Sequence, residues 1–237
     1  SMVYARGAQD NKGQLIYLLY ALCASKELQP TLPLNISLIV EVEEEIASPG
    51  LAEILVDIGE KINSDYLLIV DGSIVEETKP SITIGCRGLV ALELLIQGSK
   101  EDLHSGLYGN VAYNPLRAIT QLLAKCWDSK GRIQIPGFYD NVKEFSTAEK
   151  QDIFFDCHQE KFLAEQNSQA VWHEDGFSVG EAASIRPSLE IHGISGGYSD
   201  PGFKTVIPKT AAAKLSMRLC PGQDPATIFQ QTKQLFC

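Results

Sequence analysis

A chain of 237 residues that is 44% hydrophobic and 21% charged has the composition of folded globular material, enough for one large domain or two modest ones, and disorder is not indicated. A net charge of −10, with the basic residues scattered among acids, argues against a nucleic-acid partner and is compatible with metal cations or cationic substrates. No run approaches the roughly 18 consecutive apolar residues of a membrane helix, and no basic-then-apolar leader opens the chain, so no membrane partner is expected. The six cysteines (Cys23, Cys86, Cys126, Cys157, Cys220, Cys237) stand far apart with no Cys-x-x-Cys pair, and they read as buried thiols of a reducing, cytoplasmic compartment.

Ser1-Met2 reads as a tag remnant, and Val3-Tyr-Ala-Arg-Gly7 enters what looks like the middle of a domain. Leu15, Leu18, Leu19 and Leu22 then recur at helical spacing, which puts Asp10 in a loop just before a helix. An Asp there can be a plain helix cap, worth about 1 kcal/mol. Residues 35–40 are short, rich in aliphatic and β-branched side chains, and bounded by Pro33 and Pro49-Gly50, the pattern of a covered parallel strand. A helix is predicted from Ser48 to about Lys61, with Leu51, Ile54, Leu55 and Ile58 on one face, and a second buried strand at 66–70, ending in Asp71. Residues 80–88 and 89–97 read as extended. Helical material resumes over Asn114–Trp127, and one or two helices are predicted within the long excursion 129–183, at 147–152 and 156–166. Strands at 188–194 and 211–219 and a helix from about Asp224 complete an α+β layer. The expected boundary lies near Gly98, with the second domain beginning in the preceding strand: residues 1–98 a partial catalytic domain and 99–237 a lid.

Acids gather at the junctions of the first part. The strand at 35–40 runs into Glu41, Glu43, Glu44 and Glu45, and ligands in open α/β sheets sit beyond the carboxyl ends of such strands. Taken alone, an acidic run is more often a solvated turn. Several acids converging on one covered sheet need cations, because an unpaired buried carboxylate costs several kcal/mol. Adjacent glutamates also suit a division of labour in which one binds a metal while the other takes a proton from water. A pair of zinc ions about 3.5–4 Å apart needs a bridging carboxylate, for which Asp10 is suitable, and His or carboxylate ligands to complete each ion. None of His104, His158, His173 and His192 lies beside these acids in sequence, and the last three read as structural or solvent-facing.

Four motifs occur in the order seen in the di-zinc exopeptidases: Arg6-Gly-Ala-Gln-Asp-Asn-Lys-Gly13, Glu41-Val-Glu-Glu-Glu-Ile-Ala-Ser-Pro-Gly50, Asp102-Leu-His-Ser-Gly-Leu-Tyr-Gly109, and Lys204-Thr-Val-Ile-Pro208 followed by Ser216-Met-Arg-Leu219. The chain therefore resembles that family, which includes carnosinase-type dipeptidases, aminoacylases, desuccinylases and glutamate carboxypeptidases. Gly137-Phe-Tyr-Asp140 and His192-Gly-Ile-Ser-Gly-Gly197 resemble the carnosinase-like branch. The fold this implies is α/β, an open, mostly parallel sheet of a catalytic domain, joined to an α+β lid and dimerisation domain, both partial.

By the same resemblance Asp10 is the carboxylate bridging two zinc ions (or manganese or cobalt), Glu45 a ligand of one and Asp71 a ligand of the other. Glu44 resembles the general base, and His104 the lid histidine that polarises the scissile carbonyl, often across a homodimer. Thr205 and Arg218 resemble the residues that hold the carboxylate of a small peptide substrate, a task for which the planar donors of arginine suit. Glu41 and Glu43 read as supporting residues. The family's first His-x-Asp segment and its last histidine ligand are absent from this chain, so it reads as an internal piece, inactive by itself. Val42 and Ala47 stand where the family usually has glycine, which puts the shape of the acidic corner in question. The implied activity of the intact protein is hydrolysis of dipeptides. Its alternatives are an N-acyl amino acid amidohydrolase and a non-catalytic dimerisation or binding module.

Overall fold

In the computed structural model, which describes residues 4–46, 48–72, 82, 83, 85–153 and 158–236, the helix expected from the early leucines forms as α1 (Gly13–Leu28). Leu15, Leu18 and Leu22 line its half-buried side, while Leu19 is exposed. The chain divides into two units, Ser1–Thr83 and Ile84–Cys237. In the first, α2 (Pro49–Ile58) begins with proline in its first turn, where the missing amide costs nothing, and runs into a 3-10 turn at Gly59–Lys61. Of its expected inner face, Leu51 and Ile58 are half-buried and Ile54 and Leu55 are exposed.

The segments 35–40 and 66–70, expected as buried parallel strands, join no ladder among the described residues, and Leu67 is 84% exposed. A parallel strand of this kind is held by neighbours on its edges and covers on both faces. The described part of this unit supplies α1, α2 and short turns around them, and no neighbouring strand.

The second unit is built on a three-stranded antiparallel sheet in the order β1-β5-β3, from β1 (Gly88–Gln97), β3 (Ser188–Gly196) and β5 (Thr210–Leu219). β5 is central and its burial follows the period of two of a half-covered strand: Ala211, Ala213, Leu215, Met217 and Leu219 are buried and their neighbours are less so. Val90, Leu92, Leu94 and Ile96 of β1 stand opposite Met217, Leu215, Ala213 and Ala211 and extend that apolar face. Buried residues of α4 (Pro115–Ala124) and α8 (Pro225–Phe236), namely Ile119, Leu123 and Ile228, belong to the same core. Asn114 caps α4 through Oδ1, which accepts from the amides of Leu116 and Arg117 at 3.0 and 3.3 Å. Thr232 is buried on α8 without penalty, because its hydroxyl donates to the Ile228 carbonyl at 2.7 Å.

The division between units falls before Gly98. β1 pairs with β5 along its whole length, from Gly88 opposite Leu219 to Gln97 opposite Thr210, so the strand preceding Gly98 belongs to the second sheet. Between the strands lie a two-stranded ribbon of β2 (Leu103–His104) and β4 (Val206–Ile207), the short α3 (Ser105–Tyr108), and, in the long excursion, α5 (Thr147–Asp152), α6 (Gln159–Glu165) and α7 (Val179–Ser184). α7 is additional to the expected helices, although its signature is visible in Ser178-x-x-Glu181. The Ser178 hydroxyl accepts from the Glu181 amide at 3.2 Å and the Glu181 carboxylate accepts from the Ser178 amide at 2.8 Å. The first residues expected in the α6 helix, 156 and 157, lie outside the described residues.

Arg186 ties the excursion to the sheet. The residue is 3% exposed, and its guanidinium donates to both Glu174 oxygens (Nη2 at 2.8 and 3.1 Å, Nε at 3.0 Å) and to Glu144 at 3.2 Å. The rings of Phe177 and Tyr139 lie 4.2 and 5.3 Å from its central carbon. The Gly137–Asp140 motif thus places Phe138 in the core and Tyr139 beside Arg186, with Gly137 in the left-handed region at φ 76°. His192 lies at the irregularity of β3, where the register shifts between Ile191 and Gly193, and its Nε2 is 2.6 Å from Ser216 Oγ.

Cys126 and Cys220 are buried, and burial pushes both thiols up to about 11, whereas Cys23 and Cys86 are exposed. The sequence expectation of buried thiols therefore holds for two of the four described cysteines. Brief iodoacetamide treatment of the native chain at neutral pH, followed by peptide mass spectrometry, is expected to modify Cys23 and Cys86, with Cys126 and Cys220 reacting only after unfolding. Cys157 and Cys237 lie outside the described residues. Among the described residues no helix is long and apolar enough to cross a membrane.

Candidate active site

Gly7 adopts φ 72°, a left-handed turn that glycine takes without a steric penalty, and the chain enters a π-helical turn at Ala8–Lys12. Asp10 and Asn11 leave helical geometry inside that turn, at φ −117° and −137°, and the peptide between them is cis. α1 has no side-chain cap, so Asp10 is not serving as one. The Asn11 amide group donates to the Val70 carbonyl at 3.2 Å and to Asp71 Oδ1 at 2.5 Å, which fastens the Asp10 turn to the end of segment 66–70. Asn11 was visible in the Asp-Asn-Lys-Gly run but gave no signal of this bridging role.

The acidic corner is a 3-10 turn, Glu44–Ile46, leading to Ser48 in the left-handed region at φ 54°. Glu43 organises it: its carbonyl accepts from the amides of Ile46 and Ser48 at 3.1 and 3.0 Å, and its carboxylate accepts from the Gly50 amide at 3.0 Å. A Cβ on residue 50 would stand 2.8 Å from Glu43 Oε2, so the glycine keeps that bond open. Val42 is 92% exposed without a positive φ, so it does not crowd the turn as its departure from glycine suggests. Ala47 lies outside the described residues.

Glu44, Glu45, Asp10 and Asp71 come together electrostatically. The Glu44 carboxyl is held above the usual carboxylate range, first by partial desolvation and then by the negative charges of Asp71, Glu45, Asp10 and Glu41. Oε1 of Glu41 is buried and has no hydrogen-bond partner. This surplus of negative charge and this orphaned oxygen are what a divalent cation would balance. The number of ligands is a separate matter. Among the described residues no group of three His, Cys, Asp or Glu side chains stands close enough to hold a metal ion. The corner therefore fits such an ion in charge and donor type without closing a shell around it.

The second unit brings His104 and Thr205 together. His104 ends β2 opposite Val206 of β4, the Ser105 amide donates to the Thr205 carbonyl at 2.9 Å, and Nε2 of His104 lies 3.2 Å from Thr205 Oγ1. They share a hollow of about 450 Å³ whose lining includes Asp102, Phe203 and Lys204. Asp102 Oδ1 accepts from the Lys209 amide at 2.9 Å and holds the ribbon to the start of β5. Arg218 stands elsewhere. It is exposed near the far end of β5, paired with Leu89 and Ser188, eight residues along the strand from Thr210, or about 27 Å at ~3.4 Å per residue. Arg218 does not line the hollow that His104 and Thr205 share.

Residues 84–236 match the M20 peptidase dimerisation domain, and the chain belongs to the M20 peptidase family. The sheet of the second unit, with its covering helices, is the lid or dimerisation domain of that fold. The chain is 34% identical to the mouse Beta-Ala-His dipeptidase over 98% of its own length and 48% of that protein's, and 32% identical to the Cys-Gly metallodipeptidase DUG1 of Candida albicans over 93% and 46%. Among solved structures it is similar to the M20 family metallo-carboxypeptidase Sso-CP2 of Sulfolobus solfataricus (TM-score 0.79, 30% identity, covering 97% of this chain and 52% of that one) and to human carnosine dipeptidase 1 (TM-score 0.74, 31%, covering 97% and 49%). The chain spans about half the length of the curated relatives it matches. Those relatives are named as dipeptidases, one of them explicitly as a metallodipeptidase.

Proposed function

We propose that the full-length protein is a cytoplasmic zinc dipeptidase that cleaves the amide bond of small peptides and works as a homodimer through the second unit. The observation that carries this reading is the gathering of Asp71, Glu45, Asp10 and Glu41 around Glu44, with the buried Oε1 of Glu41 lacking a hydrogen-bond partner. Asp10, Glu45 and Asp71 would hold two divalent ions, with further ligands from outside this chain, and the bound metal would supply Lewis acidity toward water and the scissile carbonyl. Glu44 is then the group that takes the proton from the attacking water and returns it to the leaving amine.

His104 would donate from Nε2 to the carbonyl oxygen, while Thr205 and Arg218 would hold the substrate carboxylate. The position of Arg218 outside the hollow that the other two share supports a site completed by a second copy. The exposed apolar segments 35–40 and 66–70 support the view that the first unit is part of a larger catalytic domain.

The test compares the full-length protein with the 237-residue chain, measuring bound metal by elemental analysis and turnover on dipeptides and N-acyl amino acids. Dipeptide hydrolysis by the full-length protein, lost on chelation, is expected. The 237-residue chain is expected to bind zinc weakly and to be inactive, and two tightly bound zinc ions with turnover in that chain would refute this part. A preference for N-acyl amino acids would make the protein an amidohydrolase of another specificity. Absence of hydrolysis in the metal-loaded full-length protein would leave a binding module.

A further inference from the structure

Nδ1 of His104 accepts a hydrogen bond from the backbone amide of Gly106 at 2.9 Å. A backbone N–H can only donate, and a neutral imidazole carries one donor and one acceptor nitrogen. Nδ1 is therefore the unprotonated nitrogen and the proton resides on Nε2. It follows that the 3.2 Å contact with Thr205 runs from His104 Nε2–H to Thr205 Oγ1, leaving the threonine hydroxyl hydrogen to donate onward. The hollow lined by these two residues then offers the threonine hydroxyl hydrogen, and the His104 N–H once a substrate oxygen takes it over from Thr205 Oγ1.

Glycine at 106 is a requirement of space. Its backbone is not in the left-handed region, so conformation alone admits other residues. A Cβ there would stand 2.8 Å from Cε1 and 3.0 Å from Nδ1 of His104, closer than side-chain contacts allow, and the ring would have to leave its amide partner.

We propose that Gly106 is a positioning residue that fixes His104 as the Nε2-protonated tautomer, a standing N–H donor at the hollow. The consequence for catalysis rests on the reading of His104 given above; the tautomer itself does not.

The experiment is a two-bond proton–nitrogen correlation spectrum of the full 237-residue chain labelled with nitrogen-15 in histidine, at about pH 8, above the ordinary histidine range. The His104 signals are assigned by their loss in His104→Gln. The expected spectrum has Nδ1 at an acceptor-type shift and Nε2 at a protonated one. In Gly106→Ala the two nitrogens are expected to move toward each other as the tautomers exchange, and in Thr205→Val they are expected to stay apart. A protonated Nδ1 in the unsubstituted chain, an unchanged spectrum in Gly106→Ala, or averaging in Thr205→Val equal to that in Gly106→Ala would each overturn the proposal. A second measurement needs no substitution at 106: the Gly106 amide proton is expected downfield and to shift upfield in His104→Gln, and no shift would overturn the proposal. These spectra read the imidazole alone, while the role of His104 in hydrolysis is read by turnover, so the two failures are distinguishable.

Discussion

In the full-length protein, Glu44→Gln is expected to lower kcat for dipeptide hydrolysis by about 10²–10⁴-fold while leaving metal content unchanged, the range set by loss of a positioned acid–base group. Glutamine keeps the shape and polarity of the side chain and removes only its capacity to take up a proton. Glu45→Gln is expected to lower metal content as well, because Glu45 is assigned to a ligand and Glu44 is not. Elemental analysis alongside steady-state kinetics separates the two roles, and turnover retained in Glu44→Gln would sink the assignment. Substitution of Glu43 is expected to act differently again. Its carboxylate is engaged with the Gly50 amide, so Glu43→Ala disturbs the turn that presents Glu44 and removes no proton-transfer group.

The largest expected effect on stability lies far from these acids in sequence. Arg186→Met leaves Glu174, whose side chain is 10% exposed, without its main partner, and breaking a buried pair in this way costs about 3–5 kcal/mol. Arg132 also contacts Glu174, at 2.7 Å, but its side chain is 47% exposed, and Arg132→Gln is expected to cost no more than about 1 kcal/mol. Replacing both partners, as Arg186→Met with Glu174→Met, is expected to recover much of the loss, because no uncompensated charge is then left inside. Both tryptophans, Trp127 and Trp172, belong to the second unit, so urea unfolding followed by tryptophan fluorescence reports that unit. An Arg186→Met chain as stable as the unsubstituted one would show that the cluster around Glu174 does not hold the excursion to the sheet.

What could be read in advance was whatever repeats over a few residues. Helical spacing of leucines located α1, and the extended runs at 89–97, 188–194 and 211–219 located β1, β3 and β5. The same logic failed at 35–40 and 66–70, where an apolar run shows that a segment wants cover without showing that its neighbours are at hand. The expectation that the second domain begins in the strand before Gly98 agrees with β1, which pairs with β5 along its whole length, although only that ladder places the division as early as Ile84. The ordered motifs identified the family because each is a short run whose members act together.

The sequence alone therefore determined the family and the main helices and strands of the second unit, though not α3, α7 or the β2–β4 ribbon. Only the tertiary structure decided that Asn11 fastens Asp71, that Arg186 is buried against Glu174, that the Gly106 amide donates to Nδ1 of His104, and that Arg218, near the far end of β5, lies outside the hollow lined by His104 and Thr205. The physical reason is common to most of these. A hydrogen bond or ion pair between residues distant in sequence leaves no periodic trace in either segment, and even the two-residue step from His104 to Gly106 depends on a ring orientation set by the ribbon of β2 and β4.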